Sequence, residues 1–520
     1  MKKQIEISVR PEELDIPEVL AIKTAGILKL AKGQISAIIP LRKSIDARSK
    51  YPVFKFQVDV FINEHPDKSP QKIIFNHVSG NKKVIVIGFG PAGMFASLKL
   101  IELGIKPIVF DRGKDVQSRR RDIRAIQQEH IVNPDSNYCF GEGGAGAYSD
   151  GKLYTRSTKR GIVKRILEIL VQHGADKNIL IDAHPHIGSN RLPKIVAEIR
   201  NTILNNGGEI HFNSKVTELV IEENKILGVK VNNVSEFYAD AVILATGHSA
   251  RDIFYLLHKQ NIKIEPKPFA MGVRIEHPQK LINEIQYHTA EKHPNLPAAI
   301  YNLACEIDDR GVYSFCMCPG GIIVPAATSP DEIVVNGMSV SKRNSPFANS
   351  GFVVEVSEKE WMSYEKYYPF SGMMLQAELE KLAFKLANET QSAPAQRVTD
   401  FVLGKQSQSL PKASYIPGLT SVPLHSELPE FITSRLKRAL KVFDKKMPGY
   451  HSEEAVLVGV ESRTSSPIRI PRDRLTFMHS QIEGLFPCGE GAGYAGGIVS
   501  AAIDGENCAE AIYKFINNRF

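Results

Sequence analysis

Apolar residues along this chain change their spacing several times, and each change marks a new element. Near the N-terminus IEISV alternates as a strand does, residues 17–30 (PEVLAIKTAGILKL) have helical spacing, and ISAIIPL and VFKFQVDVFI alternate again. Strand, helix and two more strands predict a small α+β module over residues 1–78. The polar run NEHPDKSPQK reads as a bridge to the next unit. From Lys82 the style changes. KKVIVIGFG is a short β-branched run of the kind buried on both faces of a parallel sheet. A helix rich in small residues is predicted over 92–103, and IKPIVFD is a second strand, which completes a βαβ unit.

Residues 160–206 read as helices, with one strand candidate at NILIDAH. EIHFN, KVTELVIEENKILGVKVN (with a hairpin at Glu223–Asn224) and DAVILATG read as strands. The stretch 266–448 is more mixed. Strands are predicted around MGVRIE, GVYSFCM and EIVVNGMSV, and helices around 358–388 and 431–446. The C-terminus then returns to the earlier style, with LFPCGE, a glycine cluster and a small-residue helix. These shifts predict an α/β chain whose Rossmann-type domain comes in two pieces, 79–262 and 456–520. An α+β substrate or cap domain, 263–455, is inserted between them.

Composition narrows the setting. With 43% hydrophobic and 23% charged residues in 520, the chain is of ordinary globular make-up. No apolar run is long enough for a membrane span, and no apolar core follows the basic N-terminus, so neither a transmembrane helix nor a signal peptide is expected. Six cysteines without a CxxC pair point away from a disulfide framework or zinc and towards a reducing, cytoplasmic home; no metal is expected. The net charge of +8 favours anionic ligands. It falls short of a nucleic-acid signature, since Arg119, Arg120, Arg121 and Arg124, the densest cluster, read as a solvated helix face.

The strongest chemical signal is Gly88-Phe-Gly90-Pro91-Ala92-Gly93, which follows a strand and opens a helix. Gly88 suits the tight turn, Gly90 lets a pyrophosphate approach the backbone, and Gly93 lets helix and sheet pack closely. The helix N-terminus adds free N–H groups and positive dipole. Asp111, with Arg112 after it, stands 23 positions after Gly88 and ends the second strand, where a carboxylate can accept from a ribose hydroxyl. Three further segments fit a flavin dinucleotide better than a nicotinamide one. FGEGGAGAYSDGKL contains Gly143, Gly144, Gly146, Ala147, Asp150 and Gly151, and its glycines can wrap a cofactor closely. Ala245-Thr246-Gly247 ends a buried strand, and Val216 opens another. In GLFPCGEGAGYAGGIVSAAIDG, Gly489, Glu490, Gly496, Gly497 and Ile498 precede or open a helix whose N-terminus would favour negative charge on a reduced ring.

With ATGHSARD, FCMCPGG, VNGMS and ESRTSSPIRI, these motifs resemble a family of bacterial FAD-dependent dehydrogenases within the glutathione-reductase-type FAD-binding superfamily. The resemblance spans nearly the whole chain and implies a Rossmann-type FAD-binding domain with non-covalent FAD. No second strand–GxGxxG–helix unit of the dinucleotide-binding kind and no CxxxxC pair is read beside it, so a separate NAD(P)H domain and disulfide-reductase chemistry of that type are not expected. NAD(P)H remains a candidate transient electron donor.

Candidate catalytic residues lie near these motifs: His248, Arg251, Arg463, Cys316, Cys318 and Tyr494, with Arg469 nearby. An Arg fork suits a substrate carboxylate or phosphate, and a structural ion pair is the equal alternative. Tyr494 stacks near the isoalloxazine or closes its loop. Cys316 and Cys318, two apart on a strand, share a face. They either exchange electrons with a flavin or, as free cysteines usually do, simply pack. The expected activity is hydride exchange between flavin N5 and a small, anionic molecule. The alternatives are a flavin-dependent RNA-modifying enzyme, contacting phosphates through Arg42, Lys43, Arg48, Lys50 and Lys55, and a non-catalytic flavin-binding protein.

Overall fold

The β-branched run at Lys83–Ile87 becomes the middle strand of a five-stranded parallel sheet, its last four residues fully enclosed. The structure, a computed structural model, describes residues 1–66, 72–155 and 161–518. Residues 67–71 of the polar bridge, and Arg160 at the start of the expected helical stretch, lie outside those described. The strand order is Leu485–Pro487, Ala241–Leu244, Lys83–Ile87, Lys106–Phe110, Glu209–His211, with every neighbouring pair parallel. This is the expected Rossmann-type parallel sheet. Helix Pro91–Glu102 follows the middle strand, with Gly90 as its N-cap and Pro91 at its first position, where a missing N–H costs nothing. Helix Ile498–Ile516 follows the edge strand and begins after Gly497. The two helices lie against each other so closely that a side chain on Gly505 would collide with the Ala92 carbonyl. Both therefore start at the C-terminal edge of the sheet, where ligands of such folds bind.

Val216–Glu222, Lys225–Val231 and Ser235–Tyr238 form a small antiparallel sheet. Its first turn is Glu223–Asn224, with both residues at positive φ, as a two-residue hairpin turn requires. A larger sheet of seven strands runs in the order Ala304–Ile307, Arg310–Cys318, Phe347–Val356, Phe269–Pro278, Val456–Glu461, Ala393–Arg397, Leu419–Ser421. Helix Glu430–Lys446 packs against it through Ile432, Leu436, Leu440 and Phe443. Near the N-terminus, Val53–Ile62 sits between Lys2–Val9 and Ile35–Asp46, and helix Val19–Leu28 packs alongside. The buried residues of this small sheet (Val9, Phe54, Val58) belong to the same apolar core as those of the seven-stranded sheet (Val273, Phe352, Val458).

Three expectations need correction. NILIDAH is not a strand: Lys177–Leu180 forms a short helical turn capped by Asp176, and only Asp182 bridges to Lys43. Strand Val456–Glu461, expected in the returning nucleotide-binding segment, pairs with Phe269–Pro278 and Ala393–Arg397 in the large sheet. Arg119 is not solvated. It is fully buried, and its guanidinium donates to the carbonyls of Asn137, Tyr138, Glu142 and Gly144. Helical spacing identified the helix but could not show that the glycine-rich loop lies over it.

Candidate functional site

At the C-terminal edge of the parallel sheet, a cleft of about 830 Å³ separates the glycine turns from strand Arg310–Cys318 of the large sheet. The glycines divide by what surrounds them. A side chain on Gly88 would meet the Ala245 carbonyl at 2.5 Å, and one on Gly93 would collide with the Gly88 carbonyl. These two are required by the packing of turn, strand and helix. At Gly247, Gly496 and Gly497 an added Cβ meets nothing within 4 Å, and at Gly90 only Gly144 Cα at 3.8 Å. All four line the cleft. Gly247 and Gly497 are at positive φ, which itself favours glycine, whereas at Gly90 and Gly496 neither φ nor a protein neighbour explains the missing side chain; all four leave room for a ligand to touch the backbone.

The loop after the second strand is held by charge. Asp111 accepts from the N–H groups of Phe89 and Gly113, both at 2.8 Å, which fixes the first turn while its carboxylate still borders the cleft. Arg112 pairs with Asp252 and lies over the Phe140 ring, 4.5 Å from its centroid. Glu142, which is buried, accepts from Val116 N at 2.8 Å and Arg200 at 2.9 Å; burial pushes its carboxyl above the ordinary range. Asp150 accepts from Ser339 and, at 2.6 Å, from Arg343. Burial pushes Asp150 up, but Lys152 and Arg343 outweigh it and hold the carboxylate charged.

Most expected cofactor residues do line the cleft: Gly88, Gly90, Pro91, Ala92, Asp111, Arg112, Gly144, Gly146, Asp150, Gly151, Val216, Ala245, Thr246, Gly247, Glu490, Gly496, Gly497 and Ile498. Gly93, Gly143, Ala147 and Gly489 do not border it. A Cβ on Gly143 would press on Ala147 and Val196, and Gly489 donates to Asp504 at 2.7 Å, so these positions support the cleft from behind.

The catalytic candidates separate as well. His248 borders the cleft, with Nδ1 lacking a hydrogen-bond partner and 3.4 Å from Glu490 Oε2. Arg463 and Arg251 are committed to buried carboxylates. Arg463 lies 2.9 Å from Glu380 and 2.5 Å from Glu332, and Arg251 lies 2.8 Å from Glu380. Burial pushes Glu380 up, yet the two guanidiniums hold it down at about 2. This network closes on itself instead of offering a fork to a substrate. Tyr494 is away from the cleft; Arg472 lies over its ring, 3.9 Å from the centroid, and donates its N–H to the hydroxyl at 3.1 Å. Tyr494 thus closes its loop. Arg469 is exposed on a short ribbon with Glu265–Pro266.

Cys316 faces the cleft, on a bulge where its strand loses register between Phe315 and Cys318. Cys318 is fully buried behind it. Lys152, not singled out in the sequence, sits between the two, its Nζ 3.5 Å from Cys316 Sγ and 3.7 Å from Cys318 Sγ. Arg274 donates to the Cys316 carbonyl at 2.9 Å and reaches Cys318 Sγ at 3.6 Å, while Glu461 (2.8 Å) and Asn349 (2.7 Å) hold its other nitrogens. The hydrogen bond with Cys318 lowers the Cys316 thiol well below the ordinary range; Lys152 and Arg274 add to this against burial. Cys318 moves the other way, raised by that same bond and by burial.

A second cavity of about 860 Å³ adjoins across Arg112, Phe140 and Ser249. Charged side chains of both signs border it, Asp331, Glu332 and Lys381 among them, and no glycine turn does. The glycine-lined cleft is therefore the candidate site.

Comparison with known proteins places the chain. A Clostridium beijerinckii protein, itself uncharacterized, is 41% identical over 516 residues, which is 95% of this chain and 96% of its own. The chain belongs to that protein's family. Residues 268–464 match a family described as FAD-dependent protein, C-terminal domain-like, and residues 1–61 match a domain of unknown function. The tRNA uridine 5-carboxymethylaminomethyl modification enzyme MnmG of Alkaliphilus metalliredigens is 26% identical over 181 residues, covering 34% of this chain and 26% of that protein. Two solved structures are distant likenesses. CtdE in complex with FAD and its substrate has a TM-score of 0.36 and 12% identity, with 83% of this chain and 80% of that one covered. A geranylgeranyl bacteriochlorophyll reductase-like protein from Thermoplasma acidophilum has a TM-score of 0.35 and 13% identity, with 84% and 80% covered.

The cofactor of this family member is FAD, and the cleft's residues fit it. The backbone at Gly90, Gly247, Gly496 and Gly497 leaves room for a ligand, and the first turns of the helices that begin at Pro91 and Ile498, with Ala92 and Gly93 in the former, would offer backbone N–H groups to an anionic group of the cofactor. Among the described residues no helix is long and apolar enough to cross a membrane.

Proposed function

We propose that the chain is a FAD-dependent oxidoreductase, a dehydrogenase or reductase, that exchanges a hydride between flavin N5 and a small anionic molecule. This reading keeps the glutathione-reductase-type resemblance as its wider frame. The observation that carries it is one continuous cleft, whose near wall is glycine turns and whose far wall is polar side chains of the large sheet and its neighbours: Lys152, His184, Tyr301 and Asn336. FAD supplies the two-electron chemistry. The protein orients the substrate and manages protons. Lys152 stays cationic because the two thiols and Asp150 outweigh the burial that would lower it, so it can draw an anion towards that wall. His248, beside Glu490 and with Nδ1 unpaired, is placed to give or take a proton at the cleft.

An RNA-modifying role draws support from the short MnmG match. The basic N-terminal residues offered for phosphate contact are partly engaged within the protein: Arg48 pairs with Asp46, Lys55 with Glu6, and Lys43 lies over Phe54. The small-molecule reading is preferred on that ground. Anaerobic mixing of the FAD-loaded protein with NADH or NADPH tests it. One of the two is expected to bleach the flavin and so name the donor. A flavin that neither reduces, and that sulfite also leaves unchanged, would be a structural cofactor and would contradict the proposal.

A further inference from the structure

Two thiols and the Lys152 ammonium meet at the far wall of the cleft, and hydride transfer to a small molecule needs neither thiol. Several features set them apart from cysteines that merely pack. Cys316 is exposed to the cleft while Cys318 is fully buried, so one sulfur can be reached and the other stands behind it. The Cys316 backbone is at a φ of +46°, a conformation that side chains other than glycine's seldom adopt, on a strand that has lost its register there. Lys152 and Arg274, both cationic, converge on the sulfurs, and neither offers them a competing proton acceptor. Residues two apart on a strand have Cα atoms about 6.4–6.8 Å apart, which is near the upper end of the span a disulfide bridges, about 4.4–6.8 Å. A disulfide closed at that limit is of the strained, readily reduced kind.

We propose that Cys316 and Cys318 are a redox-active dithiol that exchanges two electrons with the FAD of this cleft. The inference rests on the FAD-dependent reading above. In the forward direction the Cys316 thiolate and the Cys318 thiol form one S–S bond, and the Cys318 S–H bond breaks. Two electrons pass to the oxidised isoalloxazine and the Cys318 proton goes to flavin N5, which leaves the flavin as its reduced anion. Charge and hydrogen balance: one negative charge and one transferable proton stand on each side. The anion moves from the sulfur beside Lys152 to the ring, and the flavin is the oxidant, so no further reagent enters the step. The Cys316 thiolate that starts the reaction is favoured by its hydrogen bond with Cys318 and by Lys152 and Arg274. Lys152 is a positioning residue here: it steadies the thiolate and touches both sulfurs.

Anaerobic reductive titration of the FAD-loaded protein with dithionite, followed at the flavin absorption and by alkylation and mass measurement, tests the proposal. A dithiol in exchange with the flavin adds one two-electron couple, so the oxidised protein takes up about four electrons per FAD, against about two for an isolated flavin. In the oxidised protein the peptide bearing Cys316 and Cys318 should resist alkylation and weigh about 2 Da less than after reduction. C318S should bind FAD and take up about two electrons, and K152M should raise the pH at which Cys316 alkylates by about one unit or more. Uptake of about two electrons by the unaltered protein, with both thiols alkylated in the oxidised state, would overturn the dithiol and leave the flavoenzyme reading standing. Because these two readouts use the unaltered protein, a variant that fails to fold does not blur the result. A protein that binds no FAD would overturn both.

Discussion

A glycine bordered by backbone and a glycine bordered by open space respond differently to the same substitution. A methyl group at Gly93 would collide with the Gly88 carbonyl in a helix that cannot shift without moving the sheet, so Gly93→Ala should cost about 1–3 kcal/mol of stability. At Gly90 and Gly496 an added Cβ meets no closer protein atom than 3.8 Å. Gly496→Val should leave the apoprotein's thermal stability nearly unchanged, within about 0.5 kcal/mol, and Gly90→Val should cost about 1 kcal/mol because valine is a poor N-cap, while bound FAD falls about tenfold or more in both. Thermal melts of the apoproteins beside flavin content after dialysis separate the two classes. If Gly90→Val kept full FAD, the open space would not be the dinucleotide's place. Lys152 and Cys316 stand 164 positions apart, and no spacing rule joins them. Gly88, Gly90, Gly93 and Asp111 were legible because their roles are set within one local strand–turn–helix–strand unit. The bonds of Arg251 and Arg463 to Glu332 and Glu380 were not, since a sequence does not say which distant carboxylate a buried guanidinium meets.

Elements carry charge into the core as well. Strand Phe269–Pro278 buries Glu276, which Ser414 holds through its N–H at 2.7 Å and its hydroxyl. Burial raises the Glu276 pKa from its ordinary 4.5 to about 7, against the lowering effect of those bonds. Between these two values the folded chain holds a proton that the unfolded chain has lost. Glu276 therefore makes stability fall as pH rises through that window, and its effect is constant above it. Glu276→Gln should flatten the decline. Urea unfolding at several pH values from about 5 to 8 checks this, and an unchanged slope in the variant would place the pH dependence elsewhere. The parallel strands and the Glu223–Asn224 hairpin follow from local patterning, and the structure has them. Strand Val456–Glu461 shows the limit of that reading. A buried β-branched run fits either sheet, and only pairing with Phe269–Pro278 and Ala393–Arg397 decides between them.

At the scale of the whole molecule, two sheets of different kinds face one cleft. The parallel sheet brings helix N-termini and bare backbone to it; the large sheet brings the Cys316 thiol, and the segments beside it bring an ammonium and hydrogen-bonding side chains. The small N-terminal sheet was expected as a separate unit, yet its buried face merges with the core of the large sheet, so it buttresses the wall that carries Cys316. Patterning predicted that module's elements but not its docking, which depends on a face about 200 residues further along the chain meeting it in space. The chemistry of both walls depends on one occupant of the cleft. The most direct measurement is the absorption spectrum of the purified protein, before and after incubation with FAD and removal of the excess. Bands near about 375 and 450 nm, at about one FAD per chain, are the predicted result. A spectrum with no flavin bands, even after FAD is supplied to folded protein, would contradict a flavin-binding role for the cleft.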